Sequence, residues 1–417
     1  MKKTLILTLS AGLSMFILFQ SCKKEKNEQL NKSLTNSSSV SVQGDAKFKN
    51  DAAVFYARAV SMAVENADVR LWLKKKALEE VDGDFDILHS MVKNEIVSNG
   101  RTWSMILSEV SGQSIDYFTV ILPQAYPSLN MLIPDIYYPE NWNTATVIPG
   151  VTAIPCDIDE QKGTMLHIYS AHPNMDIDLF SHIEPKDMTI CVGESERVEA
   201  FTLGEKPDGE SKKIFEDGNY VLYQTLGLSK SFSQSDYNEE ILNINGNTKR
   251  GCQRDKSGKK DRMILMRVRN NTSVNELEKW YQGKLELVYT MIYNSSGNIL
   301  STVSNGHVCD RRAVWDSKWI HLDAEGPGDV LLTWDKKDKY GDVMKYIWIE
   351  DDGGTPKSIP IELEFKNSSG TTITLKTTIQ RKNRDQKAGE SLSEYCDNVY
   401  SGVQELTTSH IGFCIVI

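Results

Sequence analysis

The sequence predicts an α+β protein: a helical N-terminal unit, a β-rich middle segment and a C-terminal antiparallel β-sandwich. Three observations predict it. Between Asp51 and about Val110 apolar residues recur at three- and four-residue spacing, the period of a helix face. Beyond Pro123 that period gives way to short apolar runs separated by Pro, Gly and Asn. From Leu285 onward the runs are evenly spaced and joined by turn sequences such as Asn294-Ser-Ser-Gly297, the rhythm of a sandwich.

The chain opens on Met1-Lys2-Lys3, an apolar run from Leu5 to Leu18, and then Phe19-Gln20-Ser21-Cys22. This has the form of a secretory signal. Its apolar core is shorter than the roughly 20 residues that span a bilayer, and no later stretch is long and apolar enough to try. A small residue directly before a cysteine, at the end of such a core, resembles the lipobox of bacterial lipoproteins, although Phe19 stands where that family usually has Leu. The resemblance implies that residues 1–21 are removed, that Cys22 is acylated, palmitate included, and that the lipid holds the chain to a membrane. Residues 22–47 have almost nothing to bury and read as a flexible tether. Their composition resembles lipoproteins of the Bacteroidetes type, which implies the cell envelope and the outer membrane, with the periplasmic or surface face left open.

Residues 48–112 form the helical unit. Ala52, Val54, Phe55, Ala59, Met62 and Ala63 mark a first helix, and Val69, Leu71, Leu73, Ala77 and Leu78 a second. Asp82-Gly83-Asp84 breaks the pattern, with Asp84 read as the cap of a third helix from Phe85 to Val97 that Asn99-Gly100 ends. A fourth helix covers Thr102 to Val110. Residues 113–225 are β-rich, with runs at Leu129 to Ile136, Thr146 to Ile154, Met165 to Tyr169 and Met188 to Val192. The prolines among them argue for edge strands and loops over a regular central sheet. Residues 226–282 read as a polar connecting region, with a solvated basic loop near Lys249 to Lys260 and a short helix from Val274 to Tyr281. Residues 283–417 are the sandwich, closing on a last strand, Gly412 to Ile417.

The net charge of −10 disfavours nucleic acid, which asks for a basic face. Six cysteines remain after Cys22, and in an exported chain an even number permits disulfides. Nearest-neighbour pairing would join Cys156 to Cys191, Cys252 to Cys309 and Cys396 to Cys414, while buried thiols on strands are the equal alternative for Cys156 and Cys191.

No G-x-S-x-G elbow, H-E-x-x-H, P-loop or dinucleotide-binding glycine pattern is present, and no catalytic residue is assigned. His167, His172 and His182 crowd near Asp176, Asp178 and Glu184, but their spacing matches no chelating face, and the reading for them is structural. Asp82-Gly-Asp84-Phe-Asp86 lacks the glycine and glutamate of an EF-hand loop. Calcium is weighed instead at Asp335, Asp338, Asp342 and Asp351, within acidic clusters that include Glu350-Asp351-Asp352, since sandwich loops that gather carboxylates suit a cation taking about six to eight oxygens. Leu332 to Asp342 resembles the calcium loop of C2-domain sandwiches, but Lys337 occupies the position of the second aspartate and Asp338 comes one residue late. Solvated turn residues are the plainer reading.

Five segments taken together resemble a family of Bacteroidetes-type lipoproteins known only as a domain of unknown function: Ala77 to Leu88, Pro127 to Pro134, Thr189 to Val198 with Glu194, Glu196 and Arg197, Glu276 to Leu287, and Trp334 to Glu350. The resemblance implies no activity and no site residues. The expected function is a non-catalytic envelope lipoprotein that binds a glycan, protein or other surface ligand, with Tyr137, Tyr138, Trp142, Trp315 and Trp319 as aromatic candidates. The competing class is a lipid-anchored hydrolase of envelope or environmental polymers.

Overall fold

The computed structural model describes residues 45–158, 163–207, 211–225, 228–232, 261–295, 298–309, 314–322, 329–334, 343–352, 356–366, 372–382, 385–395 and 403–416. Cys22, most of the tether, the basic loop, Cys252, Cys396, Asp335, Asp338 and Asp342 lie outside the described residues. Among the described residues no helix is long and apolar enough to cross a membrane.

Helix α1 (Ala46–Ala63) starts where the Asp45 carboxylate accepts from the Phe48 N–H at 2.7 Å, satisfying one of the donors a helix start leaves bare. Its buried face is built from Ala52, Ala53, Ala57 and Ala59 with Tyr56 and Val60, small enough to let the helix lie close on a sheet. Helix α2 (Ala67–Ala77) is capped by Asn66 and ends in Lys74, Lys75 and Lys76, placed where carbonyls point outward. The helix expected over Phe85 to Val97 is not formed. That stretch makes strand β1 (Asp86–Leu88), the four-residue helix α3 (His89–Val92) and strand β2 (Ile96–Ser98), which pairs with β3 (Arg101–Thr102). Pairing of β1 with β4 (Leu129–Leu132), Asp86 opposite Leu132, overrides the helical spacing, and Asp84 caps no helix. Helix α4 (Trp103–Ser111) is capped by Thr102 and ends at Gly112 in the left-handed region, φ +70°.

Strand β4 continues into a six-stranded sheet with β5 (Gly150–Ala153), β6 (Met165–Tyr169), β7 (Ile177–Phe180) and β8 (Thr189–Glu194), in the order β1-β4-β8-β5-β6-β7. All its pairings are antiparallel except β5 with β8. The prolines do fall between these strands, but what they separate is a continuous sheet with β8 and β5 at its centre, a correction to the expectation of edges and loops. Helix α1 lies on β5 and β8, and one hydrophobic core runs from Tyr56 and Trp103 through Met131 and Ile190. The sequence boundary at 112 and 113 falls inside this core. A second antiparallel sheet, β9 (Val198–Thr202), β10 (Ser211–Asp217) and β11 (Tyr220–Thr225), packs Val198, Tyr220 and Leu222 on Leu88.

The far half is a sandwich. One sheet runs β12 (Leu228–Phe232), β15 (Asn298–Cys309), β14 (Leu285–Ser295), β18 (Val343–Glu350), β21 (Gln386–Glu394); the other runs β16 (Ile320–His321), β13 (Asp261–Val268), β23 (Ile411–Val416), β22 (Val403–Thr407), with β17 (Asp329–Leu332) also on β13. The pairing is antiparallel except for β12 with β15. Tyr346 and Trp348 of one sheet meet Phe413 of the other, ring centroids 5.3 and 5.5 Å apart. The hairpin β19 (Pro356–Lys366) and β20 (Thr372–Lys382) adds Ile361 and Ile379 to the outer face of β14 and β18. Between β13 and β14 stands helix α5 (Asn271–Leu277), and after it Trp280 and Tyr281 enter the core of the first half, Trp280 Nε1 donating to the Ser181 carbonyl at 2.7 Å.

The bridge between Cys156 and Cys191 is not made. Cys191 is a thiol buried on β8, and Cys156 is a thiol in the turn after β5 that reaches the Ala46 carbonyl at 3.8 Å. Cys309 and Cys414 also carry thiols in the sandwich core, so the pairings drawn for them with Cys252 and Cys396 have no described partner.

Candidate functional site

Where the two halves meet, the chain buries an unusual amount of charge. From the first half come Asp82 and Asp84, in the segment between α2 and β1, Asp86 at the start of β1, and Arg197 with the half-buried Glu196, in the turn between β8 and β9. The sandwich half adds Glu278 just after α5, Lys284, Glu286 on β14, Glu350 at the end of β18, and Asp352. Glu278, Glu350 and Asp352 are 0% exposed and Glu286 is 1% exposed, whereas water would ordinarily hold such groups.

Backbone geometry fixes the seam. Asp84 Oδ1 accepts from the Phe85 N–H at 2.9 Å, and its Oδ2 accepts from the Lys284 N–H at 2.9 Å across the junction. Gly283 is required for this approach, because a Cβ there would sit 1.5 Å from Asp84 Oδ2. The guanidinium of Arg197 pairs with Glu286, lies 3.8 Å from Asp84 Oδ2, and donates to the Asp82 carbonyl at 3.3 Å. Lys284 Nζ reaches Glu80 at 2.7 Å over the ring of Phe85. Ser195 donates to Asp86 Oδ2 at 3.0 Å, and Gln282 to Asp352 Oδ1 at 2.7 Å.

On the sandwich side carboxylates face one another. Glu350 Oε1 accepts from the Glu286 N–H at 3.2 Å, while Glu350 Oε2 and Glu286 Oε2 are buried without a hydrogen-bond donor. Burial, then the neighbouring Asp352 and Glu278, pushes the Glu350 carboxyl well above its ordinary range. Asp86 is pushed well up in the same way, by burial and then by Asp82 and Asp84; Asp82 is raised by burial although Arg197 opposes it. Beside the seam, Asp84, Asp86, Glu196, Arg197, Tyr281 and Gly283 help line a cavity of about 40 Å³, space for water or a small ion and not for a polymer.

The residues singled out from the sequence fall elsewhere. Asp351 is half-buried between Glu350 and Asp352, its N–H donating to the Glu286 carbonyl at 2.9 Å, and it joins no carboxylate cluster among the described residues. His167 stands on β6 with Nδ1 2.7 Å from Asp178 and Nε2 3.4 Å from Asp176, so both ring nitrogens face carboxylates. His182 stacks on Phe180 and does not join them. Of the aromatic candidates, Trp142 is core, its Nε1 bonded to the Val147 carbonyl at 3.1 Å, whereas Tyr138 is exposed. Tyr137 and Trp315 are half-buried against the two cores, and Trp319 is half-buried under Arg267, 4.3 Å from its guanidinium carbon.

The seam itself is what the sequence reading missed. Four of the five segments singled out in the sequence nevertheless deliver its parts: Asp82, Asp84 and Asp86; Glu196 and Arg197; Glu278 and Glu286; and Glu350. The available signal is a lone acid inside an apolar strand, as in Leu285-Glu286-Leu287, or an acid that closes an apolar strand, as in Trp348-Ile349-Glu350. Compared with family models, with curated proteins and with solved structures, the chain matches none.

Proposed function

We propose that the protein is an envelope lipoprotein, lipid-anchored through Cys22, that acts by binding a surface ligand and not by catalysis. One observation carries the reading. The hairpin β6–β7 at the outer edge of the six-stranded sheet presents Met165, Met175, Ile177 and Phe180, with Ile183 just beyond, to solvent, each at least 44% exposed. Met165 and Phe180 are opposite one another in register, so their side chains share one face of the hairpin. Apolar side chains grouped on an edge mark a contact surface, since isolated ones would need no explanation. His182, stacked on Phe180, and the His167–Asp178 pair supply polar groups beside that surface, the mixture of ring faces and hydrogen-bonding tips that suits a glycan or a protein surface.

The experiment is binding of the full chain to a panel of envelope glycans and polymers, followed for turnover as well as capture. Binding that falls at least about tenfold in Phe180→Asp or Met165→Asp, with no polymer cleaved, supports the reading. Cleavage that both variants leave intact would replace it with the hydrolase.

A further inference from the structure

We propose that Glu196, Glu278, Glu286, Glu350 and Asp352 form two adjacent binding sites for calcium-class divalent cations that share Glu278, and that the site with Glu196 clamps the first half of the molecule to the sandwich. The oxygens have the spacing of such a site. One oxygen from each of Glu196, Glu278 and Asp352 lies within 4.8 Å of the others, and the same holds for Glu278, Glu286 and Glu350. Oxygens bound to calcium at about 2.4 Å stand at most about 4.8 Å apart across it, so each triad fits around one ion, with Glu278 common to both. An all-carboxylate donor set selects a hard cation over zinc or copper, which would favour nitrogen and sulfur.

An observation independent of the clustering points the same way. Glu350 Oε2, on a side chain 0% exposed, meets no donor, and the Glu286 Oε2 beside it is likewise buried without one. Buried carboxylate oxygens of this kind are costly unless a proton or a cation stands against them. Arg197 stands against Glu286 through its other oxygen, and also lies near Asp84 and donates to the Asp82 carbonyl. Gln282 holds Asp352 in orientation from outside the cluster, as ligand carboxylates are commonly held. Of the five, Glu196 also lines the cavity of about 40 Å³, which gives room for water at its triad. Because Glu196 belongs to the first half and Glu278 and Asp352 to the sandwich, an ion in that triad would bind one half to the other.

The test is thermal unfolding of the full chain in calcium, in magnesium and in chelator. Calcium is expected to raise the melting temperature by about 5 °C over chelator at saturation. Glu350→Gln is expected to move the calcium midpoint upward at least tenfold, and Asp351→Asn to leave it in place. The rim variant Glu196→Gln carries the same expectation as Glu350→Gln and leaves the buried carboxylates intact should the latter not fold. Equal melting in calcium and chelator would overturn the proposal. So would a Glu350→Gln chain that melts higher than the parent and ignores calcium, the behaviour of acids sharing protons.

Discussion

Around His89 and around Glu350 the molecule buries polar groups to the same depth and treats their charge in opposite ways. At His89 donors and acceptors alternate: Trp103 Nε1 donates to the Tyr56 hydroxyl at 2.8 Å, that hydroxyl donates to His89 Nδ1 at 2.9 Å, and His89 Nε2 donates to the Phe118 carbonyl at 2.7 Å. The chain of bonds is neutral and fixes the tautomer by the chemistry of its ends. At Glu350 acids face acids, with Asp82, Asp84, Asp86, Glu196, Glu278, Glu286, Glu350 and Asp352 gathered about Arg197 and Lys284. The first network holds one core together from within. The second lies between two cores, where an excess of one sign leaves work for a ligand.

The comparison breaks most severely at Arg197. Arg197→Met leaves Glu286 and Asp84 buried without their cation, and is expected to cost about 3–5 kcal/mol in urea unfolding; a loss under about 1 kcal/mol would mean the acids are neutral without it. Gly283→Ala is expected to cost about 3 kcal/mol, because its Cβ would overlap an Asp84 carboxylate that two N–H groups hold. A smaller effect, readable by pH, belongs to His89. Burial, reinforced by Lys93 and opposed by the Phe118 carbonyl, brings its pKa down from 6.5 to about 4. Between those values the unfolded chain binds a proton that the folded chain refuses, so stability falls as pH drops through this window, by on the order of 2–3 kcal/mol. Urea unfolding at pH 7 and pH 4.5 checks it, and His89→Gln should remove that part of the slope. The smallest effect is at His167, where the pair with Asp178 is exposed: His167→Ala should change stability by under about 0.5 kcal/mol, and a larger loss would make that pair structural.

Local pattern carried much of the fold. The alanine face of α1, the Thr102 cap of α4 and the run Met165 to Tyr169 that is β6 all express themselves within a few residues. Phe85 to Val97 did not, because the strand at Asp86 exists through Leu132, far along the chain, and no local spacing records that partner. The seam was hidden for the same reason at greater range: Lys284 meets Asp84 across 200 positions. Sequence density points calcium to Asp335 through Asp342 and to the run Glu350-Asp351-Asp352. Dense acids on loops are ordinarily solvated, whereas the acids that matter here are those the fold buries, whether alone in an apolar strand like Glu286 or in a dense run like Glu350 and Asp352. Asp351 shows how close the two readings came, since its neighbours Glu350 and Asp352 are the buried ones.

Calcium bound to the full chain at equilibrium dialysis, after chelator treatment and return to millimolar calcium, tests the clamp most directly. About one to two ions per chain are expected, the number falling together with the calcium-dependent rise in melting temperature when Glu196 or Glu350 is changed to glutamine. A chain that binds no calcium at that concentration, and melts the same with and without it, contradicts the account.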